Sequence, residues 1–397
     1  MSSRPTLSRP GLVSALGAGV EAARARLFAG DTSGMIVASG WLAAGAIARV
    51  GKFVGALRPL PDDDWHRRHA SRNNQLLLAA FAQIEEDFRA MLAYFTADRI
   101  GVVLGTSTSG VAEGEAAFAA QARDGFLPDS FAYEQMEIGD PAVFLARHLG
   151  VDGPAYTVST ACTSGGKALA SARLLIEAGF CDAVITGGVD SLCRLTVGGF
   201  AALESTSTEI CQPLSRNRRG INIGEGAALF LMTAGTGPVT LLGVGESSDA
   251  HHISAPDAEG RGAEAAMRAA LADAGLVPTD IGYLNLHATA TPKNDAMESL
   301  AVARVFPDGV AASGTKPMTG HTLGAAGALE AAFCWLALTD PTGRLPPHVW
   351  DGQCDPELPC LDTVARGRCF APGRRVAMSN SFAFGGNNLS LILGVAR

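Results

Sequence analysis

The sequence predicts an α/β fold in which parallel strands are covered by helices. Strand-like and helix-like segments alternate along most of the 397 residues, which is the pattern that βαβ units produce. Residues of reactive types directly follow two of these strands, Cys162 in the first half and His287 in the second. Open α/β sheets place their active groups at the carboxyl ends of parallel strands. The sequence therefore predicts that a strand in each half delivers a reactive residue at its C-terminal end.

The elements of the first half are predicted from apolar runs that are bounded by glycine and polar turns. They are a helix over 74–92, a strand over 99–104, a strand up to Thr160, a helix that follows Gly166 and stops at Gly179, and a strand over 182–186. In the helix after Cys162, the apolar residues Leu169, Ala172 and Ile176 share one face. Gly179 is a suitable C-terminal stop.

The second half repeats this rhythm. Strands are predicted over 239–244, 281–286 and 389–393, and helices over 263–274 and 321–338. A change of composition at 234–238 marks the expected boundary. The chain is therefore predicted to contain an N-terminal half, residues 1–238, and a C-terminal half, residues 239–397.

Composition and charge exclude several classes of function. Hydrophobic residues make up 47% of the chain and charged residues 18%, which provides for a large core, and the net charge of −8 argues against general nucleic-acid binding. The apolar run 323–338 is interrupted by Glu330 and is too short to cross a bilayer. No secretory signal is recognisable, so a cytoplasmic location is expected. The eight cysteines lack metal-site spacing, so neither a disulfide scaffold nor a zinc site is expected.

Cys162 stands at the joint between a strand and a helix, in the segment AYTVSTACTSGGKALAS over 155–171. Unpaired N–H groups and the macrodipole at a helix N-terminus lower the pKa of a thiol, and the thiolate is the nucleophilic form. The small residues beside Cys162 allow a second molecule to approach closely. A buried structural cysteine is the commoner alternative. Cys162 therefore needs catalytic partners elsewhere in the chain.

Three more segments combine glycine and threonine with reactive residues next to apolar strands. They are LHATATPKNDAMES over 286–299, GTKPMTGHTLGAAGALEAA over 314–332 and NSFAFGGNNLSL over 380–391. Together with TACTSG, in this order, they resemble the motifs of the β-ketoacyl-ACP synthases, the condensing enzymes of fatty-acid and polyketide synthesis. The resemblance is to the branch with a Cys-His-His active site and extends over nearly the whole chain, including SSDAHHISAPDAEG at 247–260.

The resemblance implies a fold of the thiolase type, with two duplicated βαβαβ halves layered α-β-α-β-α and usually dimeric. It also implies roles for single residues. Cys162 matches the nucleophile, and His287 and His321 match the two active-site histidines. Lys316 matches the lysine in the segment of the second histidine, and Asp295 and Glu298 match acids that brace the site. Thr289 and Thr291 match threonines that hydrogen-bond the phosphopantetheine arm. Phe384 matches the gate phenylalanine, whose backbone N–H forms an oxyanion hole together with that of Cys162. His252 is expected to line the substrate channel.

The implied reaction is a decarboxylating Claisen condensation of malonyl-ACP with an acyl group held on Cys162, giving 3-oxoacyl-ACP. It needs no metal or cofactor of the enzyme's own, because the substrate carrier protein bears the phosphopantetheine. Two alternatives remain open: the chain is the catalytic subunit of a ketosynthase/chain-length-factor heterodimer, or it is a thiolase-type acyltransferase. The expected partners are acyl carrier protein, docking on Arg67 and Arg68, and a second copy or a related subunit. No nucleic acid or membrane is expected.

The sequence departs from the family pattern at several positions. Ala288 and Ala290 replace two glycines of H-G-T-G-T, which predicts a narrower pantetheine tunnel. Ala383 replaces the glycine before the gate, which predicts a stiffer gate loop because alanine avoids positive φ. Arg219 stands where an aspartate is common. These departures predict a specialised condensing enzyme that elongates an unsaturated or aryl-polyene chain on a dedicated carrier protein.

Overall fold

The computed structural model describes residues 4–235 and 237–395. Residues 1–3, 236, 396 and 397, which fall within the two predicted halves, lie outside the described residues.

The first half of the chain contains ten strands and eight α-helices among its described residues. The strands are β1 Thr6–Leu7, β2 Gly11–Ser14, β3 Gly17–Ala18, β4 Met35–Ala38, β5 Ala48–Gly51, β6 Ile100–Gly105, β7 Ala155–Val158, β8 Ala183–Asp190, β9 Ile223–Gly224 and β10 Gly226–Thr233. The helices are α1 Val20–Ala29, α2 Asp64–Arg68, α3 Arg72–Phe81, α4 Glu85–Met91, α5 Val111–Asp124, α6 Asp140–Leu149, α7 Ser164–Glu177 and α8 Arg194–Ala202.

The second half is shorter. Its strands are β11 Val239–Ser248, β12 Tyr283–Asn285, β13 Ala312–Ser313, β14 Val376–Phe382 and β15 Asn387–Val395. Its helices are α9 Arg261–Ala274, α10 Pro292–Val305, α11 Lys316–Thr319 and α12 Ala326–Leu338. None of the described helices is long and apolar enough to cross a membrane.

The two halves have the same sheet topology. In the first half the strand order is β7-β6-β8-β10-β2, and in the second it is β13-β12-β14-β15-β11. Numbered within its own half, each sheet therefore runs 3-2-4-5-1. In both halves, the first three strands of this order are parallel to one another, and the last two strand pairings are antiparallel. This repeated order confirms the predicted duplication, whereas the expectation of purely parallel sheets is wrong.

Helices form three layers around the two sheets. α7 and α12 pack against each other between the sheets, α3 and α6 cover the outer face of the first sheet, and α9 covers that of the second with α10 packed on it. The sheets are joined along one edge by β1, which pairs with both β10 and β11. This is the predicted α-β-α-β-α layering. The boundary between 238 and 239 as a domain division stays a prediction.

The central pair of helices determines where the site lies. All residues of α12 are buried, and the close contact with α7 requires glycine, since a Cβ on Gly165 would lie 2.9 Å from that of Ala328. Cys162 lies two residues before α7, and His321 lies five residues before α12. The N-terminal ends of two helices from different halves therefore meet at one place.

Several element predictions need correction. The helix predicted over 74–92 is two helices, α3 and α4, and the helix predicted from 321 begins only at Ala326 after a 3₁₀ turn. β10 was not predicted, because its sequence GAALFLMT is rich in residues that favour helices. It forms a strand because it is buried between β8 and β2, where tertiary pairing outweighs local preference.

Candidate active site

Cys162 is held in a tight turn between β7 and α7. Ala161 has a positive φ of 54°, a left-handed conformation that is costly for a residue with a side chain. The Ser164 hydroxyl stabilises the turn, since it accepts from Thr160 N–H at 2.9 Å and donates to the Ala161 carbonyl at 2.6 Å. The turn places the sulfur of Cys162 at the end of a cavity, with only 5% of the residue exposed.

His321 contacts the sulfur directly. Its Nε2 lies 3.0 Å from Cys162 Sγ, and its Nδ1 accepts a hydrogen bond from the Leu323 N–H at 3.2 Å. A neutral imidazole whose Nδ1 accepts carries its proton on Nε2. Burial, together with the charge of Lys316, holds the pKa of His321 well below its usual value. The ring is therefore neutral and presents an N–H to the cavity.

His287 follows β12 at the other side of the sulfur. Its ring centroid is 5.3 Å from that of His321. The ammonium of Lys316 lies 3.4 Å from His287 Nδ1 and donates to the His287 carbonyl. Burial and the Lys316 charge hold the pKa of His287 well below its usual value. Because the ammonium can only donate, the proton of the neutral ring is again on Nε2.

Lys316 is buried and is held by an acid that the sequence reasoning did not assign to the site. Its Nζ lies 2.5 Å from Glu330 Oε1, and both side chains are at most 4% exposed. Glu330 lies on α12, one helical turn beyond the start of that helix. The ion pair holds the ammonium beside His287. Removing either partner would be destabilising, because it would leave an uncompensated buried charge.

Glu298 and Asp295 brace the loop that carries His287. Glu298 accepts from the N–H groups of His287 and Ala288, both at 2.7 Å. Asp295 accepts from Leu214 N–H at 2.8 Å and Ala290 N–H at 3.1 Å. Burial raises the pKa of Glu298 to about 7. The two acids therefore act on the backbone of the site and not on the reacting atoms.

The two alanines of this loop do not narrow a tunnel as predicted. Both are fully buried, and neither lines the cavity around Cys162. They have positive φ angles, 41° at Ala288 and 62° at Ala290, so the consequence of replacing glycine is backbone strain. The Ala288 methyl group points at Gly314, where a Cβ would lie only 2.5 Å away.

A cavity of about 310 Å³ leads from these residues to the surface. Its lining residues include the reactive Cys162, His287 and His321, the aromatic Phe200, Phe382 and Phe384, and the polar His252, Thr289, Thr291 and Lys293. The hydroxyl groups of Thr289 and Thr291 are 2.9 Å apart. The predicted nucleophile, histidines, gate and pantetheine threonines are thus brought together in one cavity.

Phe384 lies in a turn that is hydrogen-bonded to a neighbouring surface loop. Its ring packs on Phe200, with centroids 5.2 Å apart, and its backbone N–H donates toward the Cys162 sulfur. Gly385 N–H donates to the Ile253 carbonyl at 2.8 Å. The positive φ angles of the turn are at Gly385 and Gly386, while Ala383 has an ordinary φ. The strain argument for a stiffer gate therefore fails, and the stiffness itself stays untested.

The protonation of Cys162 differs from the sequence expectation. Burial raises the pKa of its thiol to about 12, and the opposing effects of the Lys316 charge and the Phe384 N–H are smaller. The helix begins two residues later, at Ser164, so its N-terminal field acts on the sulfur from a distance. At neutral pH Cys162 is therefore a thiol.

Arg67 and Arg68 lie on α2, apart from the cavity. Arg67 pairs with Asp62 and Asp64, each at 2.7 Å, and Arg68 pairs with Glu134. A second basic segment of the sequence is Arg216-Asn217-Arg218-Arg219. In this segment Arg218 pairs with Asp355, whereas Arg219 is exposed. A basic run in the sequence is thus largely neutralised in the fold.

Comparison with known proteins identifies the family. Residues 63–236 match the model of the beta-ketoacyl synthase N-terminal domain, and residues 239–349 match that of the C-terminal domain. The chain is 33% identical over 348 residues to a 3-oxoacyl-[acyl-carrier-protein] synthase 2 of Staphylococcus aureus, covering 83% of this chain and 85% of that one. The chain belongs to the beta-ketoacyl synthase family. The resemblance drawn from the four motifs is confirmed.

Other relatives of this beta-ketoacyl synthase differ in specialisation. It is 35% identical over 357 residues to nodulation protein E of Rhizobium meliloti, covering 85% and 87% of the two chains. A solved complex of a ketosynthase (ApeO) with its chain length factor (ApeC) from Xenorhabdus doucetiae contains a chain that is 45% identical, with a TM-score of 0.94 and coverage of 99% and 98%. A beta-ketoacyl synthase from Burkholderia phymatum is 30% identical with a TM-score of 0.85 and full coverage of both chains.

The same three side chains have the geometry of a metal site. The ligand atoms of Cys162, His287 and His321 all lie within 4.8 Å of one another. The ammonium of Lys316 next to His287 opposes a divalent cation there through like-charge repulsion. A metal-free site stays a prediction. In a synthase of this family the arrangement suits acyl transfer, because a sulfur, two N–H donors and a backbone N–H converge on one point.

Proposed function

We propose that this beta-ketoacyl synthase condenses malonyl-ACP, with loss of carbon dioxide, with an acyl group held on Cys162 and releases 3-oxoacyl-ACP. The observation that carries the proposal is the convergence of Cys162 Sγ with one ring nitrogen of each of two neutral histidines, all within 4.8 Å of one another. A thiolase-type transferase would place a second cysteine opposite the nucleophile. Among the described residues that line the cavity, Cys162 is the sole cysteine.

In the first half-reaction, Cys162 takes the acyl group from its carrier. The sulfur attacks the thioester carbonyl, the bond between the carbonyl carbon and the carrier sulfur breaks, and the proton of the Cys162 thiol ends on the departing carrier thiol. The backbone N–H groups of Cys162 and Phe384 stabilise the tetrahedral oxyanion, and one such donor contributes about 3–4 kcal/mol. Because burial raises the pKa of the Cys162 thiol, its proton is transferred during the attack and not before it.

In the second half-reaction, the two histidines act together on the malonyl group. The Nε2–H groups of His287 and His321 donate to the malonyl thioester oxygen. The bond to the carboxylate breaks, carbon dioxide leaves, and the electron pair forms an enolate that the two donors stabilise. The enolate carbon then attacks the acyl group on Cys162, the carbon–sulfur bond breaks and the thiolate leaves. Histidines kept neutral by burial and by Lys316 are suited to donating, and not to protonating the enolate.

The supporting residues hold these donors in place. Lys316 and Glu330 fix His287 through its Nδ1 and carbonyl, while Glu298 and Asp295 hold its strained loop. Thr289 and Thr291 line the entrance on the side of this loop, where they suit the amide groups of the phosphopantetheine arm. The steps balance with no redox change, so no cofactor or metal of the enzyme's own is proposed.

Intact mass spectrometry tests the first half-reaction. The protein is incubated with a panel of acyl carrier proteins, and a mass gain equal to one acyl group is expected for wild type and lost in Cys162→Ala. Cys211→Ala is the matched control, because Cys211 is equally buried but does not line the cavity. Acylation that persists in Cys162→Ala would rule out the proposed nucleophile. The panel also tests the proposed preference for an unsaturated or aryl-polyene chain.

A related subunit is the second candidate for how this enzyme works. The 45% identical relative is solved in complex with a chain length factor, and the intact site of the present chain suits the catalytic partner. β7 lies at the edge of its sheet with half-buried residues, and the neighbouring Val143, Ile138 and Leu174 are 43–64% exposed. Such an edge favours pairing with another chain.

Light scattering of the purified protein distinguishes the two assemblies. A heterodimer predicts that the chain alone is inactive and that co-expression with a related subunit restores condensation. A stable, active homodimer would contradict this candidate while leaving the condensation itself in place.

Docking of the carrier protein is proposed at two basic positions. Arg67 and Arg68 would have to exchange their pairs with Asp62, Asp64 and Glu134, whereas Lys293 is exposed at the cavity rim. Replacing Arg67 and Arg68 by Glu, or Lys293 by Glu, should raise the KM for acyl-ACP and spare small thioesters. The control is Arg89→Glu, since Arg89 is also exposed and ion-paired, with Glu85. A position at which charge reversal leaves the KM for acyl-ACP unchanged is not part of the docking site.

The cytoplasm is the proposed location. Eight free cysteines, three of them exposed, suit a reducing compartment. Fractionation of the source cells tests this, and recovery of the protein only outside the cytoplasm would contradict it.

A further inference from the structure

Asp190 is a fully buried carboxylate at the end of β8 that the mechanism above does not use. One set of its donors comes from the turn after β6. The hydroxyl groups of Thr106 and Thr108 donate to it at 2.6 Å and 2.7 Å, and the N–H groups of Ser107 and Thr108 donate at 2.9 Å and 2.8 Å. Burial raises the pKa of Asp190, and these donors oppose that effect and satisfy the buried oxygens.

A further donor comes from the other half of the molecule. The N–H of Gly324 donates to Asp190 Oδ2 at 2.5 Å. Gly324 belongs to the 3₁₀ turn Leu323–Ala325, whose first N–H is the donor to His321 Nδ1. A side chain at 324 is excluded, because its Cβ would lie 2.6 Å from Ser107 N and 2.8 Å from Asp190 Oδ2.

The turn held by Asp190 is strained where it serves the histidine. Leu323 has a positive φ of 50°, which a residue with a branched side chain avoids unless neighbouring contacts impose it. The bond from Gly324 to Asp190 is such a contact, and it lies one residue from the N–H that fixes the His321 tautomer.

The same carboxylate also reaches the segment before the nucleophile. The Ser107 hydroxyl donates to the Ala161 carbonyl at 3.3 Å, and Ala161 is the residue whose positive φ presents Cys162. Asp190 is thus linked to two turns. Ser107 connects it to the turn that carries Cys162, and the Gly324 N–H connects it to the turn whose Leu323 N–H orients the His321 ring.

We propose that Asp190 is a positioning residue that sets the distance and orientation of the His321 ring relative to the Cys162 sulfur by joining the 106–108 turn of one half to the 323–325 turn of the other. The proposal rests on the proposed condensation. It predicts that the imidazole shifts or changes tautomer when the carboxylate is lost, although Asp190 touches neither substrate nor reacting atoms.

The test compares Asp190→Asn with Asp140→Asn. Asp140 is a second buried carboxylate, which accepts from Asn74 and pairs with His69 away from the cavity, so its variant controls for the loss of any buried charge. Acyl transfer to Cys162 and condensation with malonyl-ACP are measured separately in single turnovers, and nitrogen NMR of labelled histidines reports the His321 tautomer.

Asp190→Asn should slow condensation by at least about tenfold more than Asp140→Asn, since a small misplacement of a catalytic group has effects of this size. Its His321 spectrum should lose the pure Nε2–H signature while the KM for malonyl-ACP stays near wild type. Equal rates for the two variants together with an unchanged spectrum would overturn the proposal. Wild-type protein that never forms the acyl-enzyme would instead refute the proposed function.

A milder pair of variants serves if Asp190→Asn does not fold. Thr106→Val removes one hydroxyl donor to the carboxylate and also the acceptor of the Ser109 N–H, whereas Thr186→Val on the same strand as Asp190 removes a buried hydroxyl that has no partner. Condensation should be at least about threefold slower in the first than in the second, as expected for loss of one or two hydrogen bonds. Equal rates would again overturn the proposal.

Discussion

The Cys162 sulfur lies at the buried end of the cavity, and this burial governs its reactivity. Burial raises the pKa of the thiol to about 12, and Lys316 and the Phe384 N–H only partly oppose the effect. The thiolate fraction is thus small at neutral pH and grows tenfold with each pH unit below that value. The sequence suggested a lowered pKa from the strand–helix joint, but it could not show how far the sulfur is enclosed.

Alkylation kinetics test this protonation state. The rate of iodoacetamide modification of Cys162 should rise steadily between about pH 6 and pH 9 without a plateau, because the titration midpoint lies above this range. The rate is measured by mass spectrometry of the peptide that contains Cys162, with the exposed Cys354 as the internal reference. A plateau near neutrality would show that the thiolate is already formed in the empty site.

Individual residues also show why part of the site was predictable. Cys162, His287 and His321 stand in motifs with small, polar neighbours, and the local sequence identified all three. Asp190 and Glu330 did not stand out, because an acid after an apolar strand or inside a helix is ordinary at the surface. Only the packing of the two halves shows that both are buried.

At the scale of elements, the loop 287–291 is held in a strained form by its surroundings. Its two left-handed alanines are fixed by carboxylates of α10, and the Ala288 methyl group fills the space beside Gly314. The residues predicted from the motif H-A-T-A-T lie beside the nucleophile in the structure, but the predicted narrowing of a tunnel is wrong. Whether a methyl group faces the cavity or the protein depends on the backbone conformation, which the sequence alone did not give.

A double-mutant cycle tests this packing. Gly314→Ala should lower the free energy of unfolding by about 1–3 kcal/mol, because its Cβ would overlap with that of Ala288. Ala288→Gly should relieve most of this loss when combined with it, since it removes the overlapping methyl group and a strained φ. Urea unfolding measures both. Additive effects of the two substitutions would contradict the close contact.

The whole molecule is organised around two helices that begin at the site. α7 and α12 come from different halves, pack directly on each other and are covered by a sheet on each side. The duplicated order 3-2-4-5-1 places the end of β7 and the His321 turn at the same place. Sequence rhythm predicted the duplication, but β10 and β14 escaped detection, and the antiparallel pairing of β10 with β8 and of β15 with β14 and β11 was not foreseen.

Amide hydrogen exchange tests this organisation. The slowest exchange is expected in α12 and α7, because their hydrogen bonds open only with the core of both halves. The exposed helix α2, which carries Arg67 and Arg68, should exchange much faster. Fast exchange in α12 at native conditions would contradict a single core shared by the two halves.

The central claim is that one sulfur and two neutral histidines, contributed by opposite halves, form a carbon–carbon bond in one cavity. The most direct measurement starts from enzyme already acylated on Cys162 and follows product release after malonyl-ACP is added, in wild type, His287→Ala and His321→Ala. Wild type should release 3-oxoacyl-ACP and carbon dioxide in equal amounts, and each variant should be slower by about a hundredfold or more. Release at the wild-type rate from both variants would contradict the claim.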